Sequence, residues 1–240
     1  MMYVFLVLLM FTGSIMQMIT GLGLPIIAMI ILPHVISYEG SLGVVVLINL
    51  GHAFVSLLSG ERRIDYRKCF SVIAVYFVVS TIAVRFLLSF PREIMMRMMG
   101  AVLVVIGLYF IFFNRNMTLK TSMAGNVITG TACGIMGAWF GFFGPPLSIY
   151  YLATSEDAVE YQSNIRFTYL ITALYTLWLR IQSGFMTLEV IRYGIVSVLA
   201  LTAGVLAGRK YLGNIRGEKL KLAVYWALVF CGAVYLIRGG

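Results

Sequence analysis

Hydrophobic residues run along this chain in eight long stretches separated by short polar segments. Two stretches, residues 3–36 and 122–155, each extend over 34 positions without Lys, Arg, Asp or Glu. As continuous helix each would measure about 50 Å, against a bilayer core of about 30 Å, so we predict that both break inside the membrane. The other six have the length of one crossing, about 20 residues: 41–60, 69–90, 94–113, 162–183, 190–208 and 220–237.

The composition places the protein in a lipid bilayer. Of its 240 residues 61% are hydrophobic and only 11% are charged, so water cannot be the main solvent of its surface. Because lipid offers no hydrogen bonds to the backbone, these stretches predict an all-α, multi-pass integral membrane protein. The 18 Lys and Arg residues, against 9 Asp and Glu, lie mainly in short loops, which indicates cytoplasmic loops and no nucleic-acid partner.

Proline and glycine mark where the two long stretches break. Proline blocks a helix arriving from its N-terminal side but suits the first turn of a helix that begins there. We therefore expect second half-helices to begin at Pro25 and at Pro145-Pro146. Glycines precede these prolines and supply flexible backbone: Gly21, Gly23, Gly141 and Gly144.

A helix beginning inside the membrane presents free backbone N–H groups and a partial positive charge, which together bind anions. These groups are expected around Ile26 to Ala28 and Leu147 to Ile149. Irregular backbone at this depth must be buried or line a wet cavity, so the two breaks are expected to face each other and form a small oxyanion site. The alternative is that both are proline kinks used only for packing.

The two broken stretches align at an offset of 121 residues. Gly13 aligns with Gly134, Gly23 with Gly144, and Pro25 with Pro146. We interpret the chain as one transmembrane domain made of two repeats, residues 1–120 and 121–240. Each repeat has four segments, an interrupted first segment followed by three ordinary helices.

Loop charge distinguishes two topologies. If each interrupted segment crosses once, 9 basic residues fall on each side of the membrane; if each returns as a re-entrant hairpin, 12 share the side of the 61–68 loop and 6 the other. The second distribution satisfies the positive-inside rule. Three crossings per repeat would also make the two repeats inverted, as in many transporters. We favour inverted repeats with re-entrant first segments, and single crossings stay as the alternative.

Polar side chains within the apolar stretches are further candidates for the site. Gln17 lies one turn before the first break, and Asn49 and His52 lie three apart on one helix face, although such residues also serve in isolated interhelical hydrogen bonds. Thr20 and Ser148 flank the breaks and carry hydroxyls. With the family-based Arg166 below, the predicted substrate-binding residues are Gln17, Thr20, Gly21, Gly23, Pro25, Ile26, Asn49, His52, Gly141, Gly144, Pro145, Pro146, Leu147, Ser148 and Arg166.

Four segments carry a family resemblance: "GSIMQMITGLGLPIIAMIILP", "GIMGAWFGFFGPPLSIYYLA", "ERRIDYR" and "NIRFTYL". Over nearly the whole chain the sequence resembles the sulfite exporter TauE/SafE family. The resemblance implies an internally duplicated transporter of sulfite, organosulfonates or related oxyanions in the bacterial inner membrane. Arg166 matches an arginine frequent at that place in the family, where it would supply positive charge to the substrate; its alternative is an interfacial arginine that snorkels to water.

The positions of the acidic residues indicate the direction of transport. All nine carboxylates lie in or beside loops, so no carboxylate proton relay crosses the bilayer. An inside-negative potential favours anion export by about 2.3 kcal/mol per charge per 100 mV, whereas uptake needs a coupling cation. We therefore predict a secondary transporter that exports small sulfur oxyanions by alternating access, with His52 the mid-span titratable candidate if protons are coupled.

The sequence is also compatible with other functions. An anion-selective channel or an anion uptake permease would use the same half-helix site, and a structural subunit would bind no anion. The chain has no H-E-x-x-H, no G-x-S-x pattern and no paired intramembrane aspartates, so we predict no enzyme activity, cofactor or metal. A homodimer is compatible with the sequence, since an apolar dimer surface and a lipid-facing surface have the same composition.

Overall fold

A computed structural model describes residues 2–20, 23–57, 63–87, 89–112, 121–211 and 218–239. Within these residues the fold is all helical and contains no strand, as predicted. The helices are α1 (Met2–Thr20), α2 (Leu24–Ile31), α3 (Tyr38–Leu57), α4 (Tyr66–Leu87), α5 (Arg92–Phe112), α6 (Met123–Phe140), α7 (Gly144–Thr154), α8 (Ala158–Gln182), α9 (Leu188–Tyr211) and α10 (Glu218–Arg238), with a 3₁₀ turn at Leu32–His34 after α2.

Four helices of the described chain, α3, α4, α5 and α9, are long and apolar enough to cross a membrane. The apolar part of α10, Leu222–Arg238, is shorter. Helix α8 has 25 residues and is less apolar than these four helices. The reason is a buried polar stripe with a spacing of four, which faces the protein interior: Asn164, Thr168, Thr172, Thr176 and Arg180.

Both long apolar stretches break where the prolines predict. Helix α2 begins at Leu24 with Pro25 in its first turn, and α7 begins at Gly144 with two prolines in its first turn. Helix α6 ends at Phe140, and the next residue, Gly141, has a φ of 73°, the left-handed conformation that terminates helices. The predicted helix starts are therefore confirmed.

The chain reverses direction at the second break. The Tyr150 hydroxyl in α7 donates to Asn126 Oδ1 near the start of α6. A continuous helix would separate these two residues by about 36 Å, so α7 must run back beside α6. At the first break, Leu24 packs against Gly13, where a Cβ would collide with the Leu24 side chain.

The helices pack against one another in a small set of pairs. Helix α1 packs on α9, and α6 packs on α4. Helix α3 contacts α8 and α9, and α8 also contacts α4. Helices α5 and α10 pack against each other. The division into repeats 1–120 and 121–240 stays a prediction.

Polar contacts identify the two ends of the bundle. Arg63 binds Glu156 at 2.7 Å and Asp157 at 2.8 Å, so segment 63–65 lies beside the start of α8. We call this the 63–65 end. At the opposite end, which we call the 183–187 end, the start of α3 meets the segment between α8 and α9: a Cβ on Gly43 would lie 3.2 Å from the Phe185 carbonyl oxygen.

A buried ion pair ties α4 to α8 at the 63–65 end. Lys68 Nζ lies 2.8 Å from Glu160 Oε1, and the Glu160 side chain is only 6% exposed. Asp65 caps α4 by accepting a hydrogen bond from the Lys68 backbone N–H, and its own N–H donates to Asn164 Oδ1. Burial opposes ionisation of Asp65, but the hydrogen bonds and charge of Lys68 outweigh it and lower the Asp65 pKa below its ordinary value.

Helices α5 and α10 cross closely at two glycines. A Cβ on Gly100 would lie 2.6 Å from the Gly232 carbonyl oxygen, and one on Gly232 would lie 2.7 Å from the Gly100 carbonyl oxygen. Small residues let helix backbones approach in membranes, where dispersion contacts replace the hydrophobic driving force. This crossing therefore requires glycine on both helices.

We expect Gly100→Val to destabilise the protein by about 1–3 kcal/mol, because its side chain would collide with backbone that cannot rotate away. Ala101→Val is the matched control, since Ala101 lines an open apolar groove on the same helix. The midpoint of thermal unfolding in detergent measures both. Equal midpoints for the two variants would contradict the close crossing.

Asp65→Ala is expected to cost about 1 kcal/mol by removing the α4 cap, while Asp65→Asn keeps an acceptor and loses only the charge. Because the folded pKa of Asp65 is lowered, its charge stabilises the protein above its unfolded pKa, and this stabilisation is lost as pH falls through the folded pKa. The stability gap between wild type and Asp65→Asn should therefore close as acid is added. A gap that stays constant down to pH about 3 would rule out this contribution.

Candidate anion site

A cavity of about 250 Å³ lies between the two helix breaks. It is bounded by both broken segments, by one face of α3 and by the first part of α8. Its lining reaches Ser56 near the end of α3 and Tyr161 near the start of α8, so the cavity extends from the breaks toward the 63–65 end.

Ten of the predicted site residues line this cavity. The first break and α3 contribute Gln17, Gly23, Pro25, Ile26, Asn49 and His52; the second break and α8 contribute Gly144, Pro145, Ser148 and Arg166. The structure thus brings together the residues that the sequence placed on separate segments. Gly21 and the side chain of Thr20 lie outside the described residues.

Three predicted residues do not line the cavity. Gly144, Pro145 and Ser148 share the cavity face of α7, so the residues between them project elsewhere. Leu147 is fully buried in a hydrophobic core, and Pro146 lines an apolar groove beside α5. Gly141 forms the turn after α6, and its carbonyl oxygen accepts a hydrogen bond from Asn49, a residue that lines the cavity.

The expected free backbone N–H groups are partly occupied, which corrects the simplest form of the half-helix site. Ile26 N–H donates to the Gly23 carbonyl at 3.0 Å, and Leu147 N–H to the Phe143 carbonyl at 3.5 Å. The prolines have no N–H, so each first turn offers few donors to begin with. Side chains must therefore supply much of the hydrogen bonding to a bound anion.

Side chains of helix α3 form hydrogen bonds at both helix breaks. Asn49 Nδ2 donates to the Gly141 carbonyl at 3.0 Å, which satisfies a backbone acceptor at the second break. At the first break, Gln17 Oε1 accepts from the Leu24 N–H at 3.0 Å, and Gln17 Nε2 lies 3.4 Å from His52 Nε2. One face of α3 is thereby linked to both broken segments.

The charge of the cavity comes from one residue. Arg166 is the only Lys, Arg, Asp or Glu among the described lining residues, and it is half-buried. Its Nη2 lies 3.3 Å from Gln162 Oε1, which orients the guanidinium group from one helical turn away. A cavity that has an arginine and no carboxylate favours anions over cations.

A fully buried arginine, Arg180, is not among the predicted site residues. Arg180 is fully buried in α8, and its Nη2 donates to the carbonyls of Gly137 and Ala138 at the end of α6. Tyr38 donates to the next carbonyl, that of Trp139, at 2.6 Å. The spacing of four between Asn164, Thr168, Thr172, Thr176 and Arg180 is the sequence signal that would have found it.

Comparison with known proteins gives one match. The family model described as Sulfite exporter TauE/SafE matches residues 5–235, nearly the full chain. No curated protein and no solved structure matches the chain. The fold and the match agree on a multi-helical membrane protein of a transporter family, and the chain belongs to the sulfite exporter TauE/SafE family.

Proposed function

We propose that this protein exports small sulfur-containing oxyanions, sulfite or organosulfonates, across the bacterial inner membrane by alternating access. The observation that carries the proposal is the cavity between the two breaks, whose described lining has Arg166 as its one full charge and no carboxylate. Family membership supports the substrate class.

The chemistry of the lining suits an oxyanion. A guanidinium group presents parallel N–H donors that match two oxygens of one anion, and partial removal from water strengthens this interaction. Amide, hydroxyl and imidazole groups complete the polar lining: Gln17, Asn49, His52, Ser56, Ser148, Tyr161, Gln162 and Tyr169. At about 250 Å³ the cavity is smaller than the pockets of about 300–1,000 Å³ that hold drug-sized ligands, which favours a small substrate.

The arrangement of helices supports alternating access through inverted repeats. If α1 to α5 correspond to α6 to α10, then the α1–α9 pair corresponds to α6–α4, and the α3–α9 pair to α8–α4. The α3–α8 and α5–α10 pairs then lie on the axis that relates the two halves. Because the cavity extends toward one end only, exchanging the conformations of the halves would direct it toward the other end.

The distribution of basic residues supports export as the direction of transport. The 12 basic residues that a re-entrant topology places on one side would make the 63–65 end cytoplasmic. An anion that enters the cavity from this side and leaves at the other moves with the membrane potential. Among the lining residues that the structure describes, no carboxylate is present to carry a coupled proton.

Sulfite is expected to raise the unfolding midpoint of the purified protein. In Arg166→Gln, the sulfite concentration that gives the same rise should be about 10 to 100 times higher. The reason is that a hydrogen bond to a charged group contributes about 1.5–3 kcal/mol. Arg166→Lys keeps the charge without the planar donor pair and should lose less.

Arg67→Gln is the matched control, since Arg67 is exposed and belongs to α4 at the same end. Reconstituted vesicles should show saturable sulfite flux that Arg166→Gln slows and Arg67→Gln does not. If the flux instead rose linearly with sulfite concentration, at the rates typical of single channels, the protein would be a channel. If chloride and sulfite raised the unfolding midpoint equally, the proposal that the substrate is a sulfur oxyanion would be contradicted.

A further inference from the structure

Arg180 has hydrogen-bonding capacity that the fold does not use. The side chain is fully buried, yet its Nε and Nη1 atoms have no hydrogen-bond partner in the described structure. Only Nη2 is engaged, by the Gly137 and Ala138 carbonyls. No ion pair joins Arg180 to a carboxylate within the described part of the chain.

A buried cation of this kind requires compensation. Removing a guanidinium group from water is costly, and the partial negative charge at the end of α6 offsets only part of that cost. Buried arginines in membrane proteins usually mark an ion pathway or a partner charge. Nε and Nη1 point to different sides of the guanidinium group, so each offers its own charge-assisted hydrogen bond to an oxygen of an oxyanion.

Arg180 lies between the anion cavity and a second cavity. The end of α6 separates it from the first, because Asn49 reaches Gly141 from the cavity while Arg180 binds carbonyls one turn earlier. The second cavity, about 660 Å³, lies at the 183–187 end. Phe185 lines that cavity, and its ring centroid lies 5.4 Å from the Arg180 guanidinium carbon.

The end of α8 holds Phe185 over Arg180. Gly184 has a φ of 74°, so the chain turns there in the left-handed conformation. Gly184 N–H then donates to the Ile181 carbonyl, and Phe185 N–H to the carbonyl of Arg180 itself. This pair of bonds is the Schellman helix end, which brings the residue after the glycine onto the last turn.

We propose that Arg180 is a second oxyanion-binding residue, used when the molecule opens toward the 183–187 end, and that Phe185 is the side chain that closes it in the present state. The anion would pass from the Arg166 cavity to a free donor of Arg180, either Nε or Nη1, and leave past Phe185. Glu39 and Glu189 line the second cavity, so an anion that reaches it would not be held there. The proposal rests on the transport function proposed above.

The test compares half-saturating sulfite concentrations at the two faces. Radiolabelled sulfite flux is measured into right-side-out and inverted membrane vesicles, with vesicles lacking the protein as blanks. For Arg180→Gln we expect the half-saturating concentration to rise about tenfold or more at the 183–187 face and to change less than about twofold at the 63–65 face. Arg180→Lys, which keeps the charge, should give a smaller rise at the same face.

A purely structural role predicts the opposite sign. If Arg180 only caps α6, its removal weakens the form closed at the 183–187 end and shifts the population toward the form open there. Apparent affinity would then improve at the 183–187 face and worsen at the 63–65 face. That result, or equal changes at both faces, would overturn the proposal.

Two controls keep the outcomes separate. Arg192→Gln removes an exposed charge near the same end and should leave both half-saturating concentrations unchanged. Unfolding midpoints show whether each Arg180 variant folds, and Arg180→Lys carries the test if Arg180→Gln does not. Saturable wild-type flux with the wrong pattern in the variants would reject the role of Arg180 alone, whereas no saturable wild-type flux would reject the transport function and this role with it.

Discussion

Backbone carbonyl and N–H groups exposed at a helix break inside a membrane need partners, and this constraint shapes the centre of the protein. At the second break the end of α6 receives hydrogen bonds from Arg180, Tyr38 and Asn49. At the first break Gln17 supplies the acceptor for Leu24. The polar residues of α3 and α8 are therefore explained first by the breaks and only then by a substrate.

This dual use explains why the cavity is polar but carries little charge. Asn49 and Gln17 are already committed to backbone groups, so the donors left for an anion come mainly from other lining side chains. Arg166 adds the one full charge, on a helix whose inner face is polar along its length. The helix that positions Arg166 near one end also carries Arg180 near the other.

The sequence was informative where backbone chemistry dictates the outcome. Prolines cannot continue a helix but can begin one, so Pro25 and Pro145 located both breaks. Asn49 and His52 were found because polar residues three apart on a membrane helix share a face. Bond partners were not predictable in this way: the amides of Ile26 and Leu147 close short local bonds, which depend on the turn geometry adopted at each break.

Arg180 was missed for a physical reason of its own. An arginine near the end of an apolar stretch reads as interfacial, and only packing against the end of α6 buries it. Pro146 and Leu147 show the same limit, since the face each residue takes depends on how α7 rotates after the break. Sequence pattern places residues at a break, and tertiary packing decides which of them the cavity reaches.

The central claim is that the two breaks enclose an anion site reached from one face of the membrane. Ser148→Cys in a Cys231→Ser background tests it directly, because Cys69 and Cys133 are buried and Ser148 lines the cavity. The measurement is the rate of labelling by a membrane-impermeant maleimide in oriented vesicles, with methanesulfonate as an anion that does not react with the reagent. The account predicts labelling from the 63–65 face, slowed by methanesulfonate and not by gluconate. Labelling at equal rates from both faces, or at a rate that methanesulfonate leaves unchanged, would contradict it.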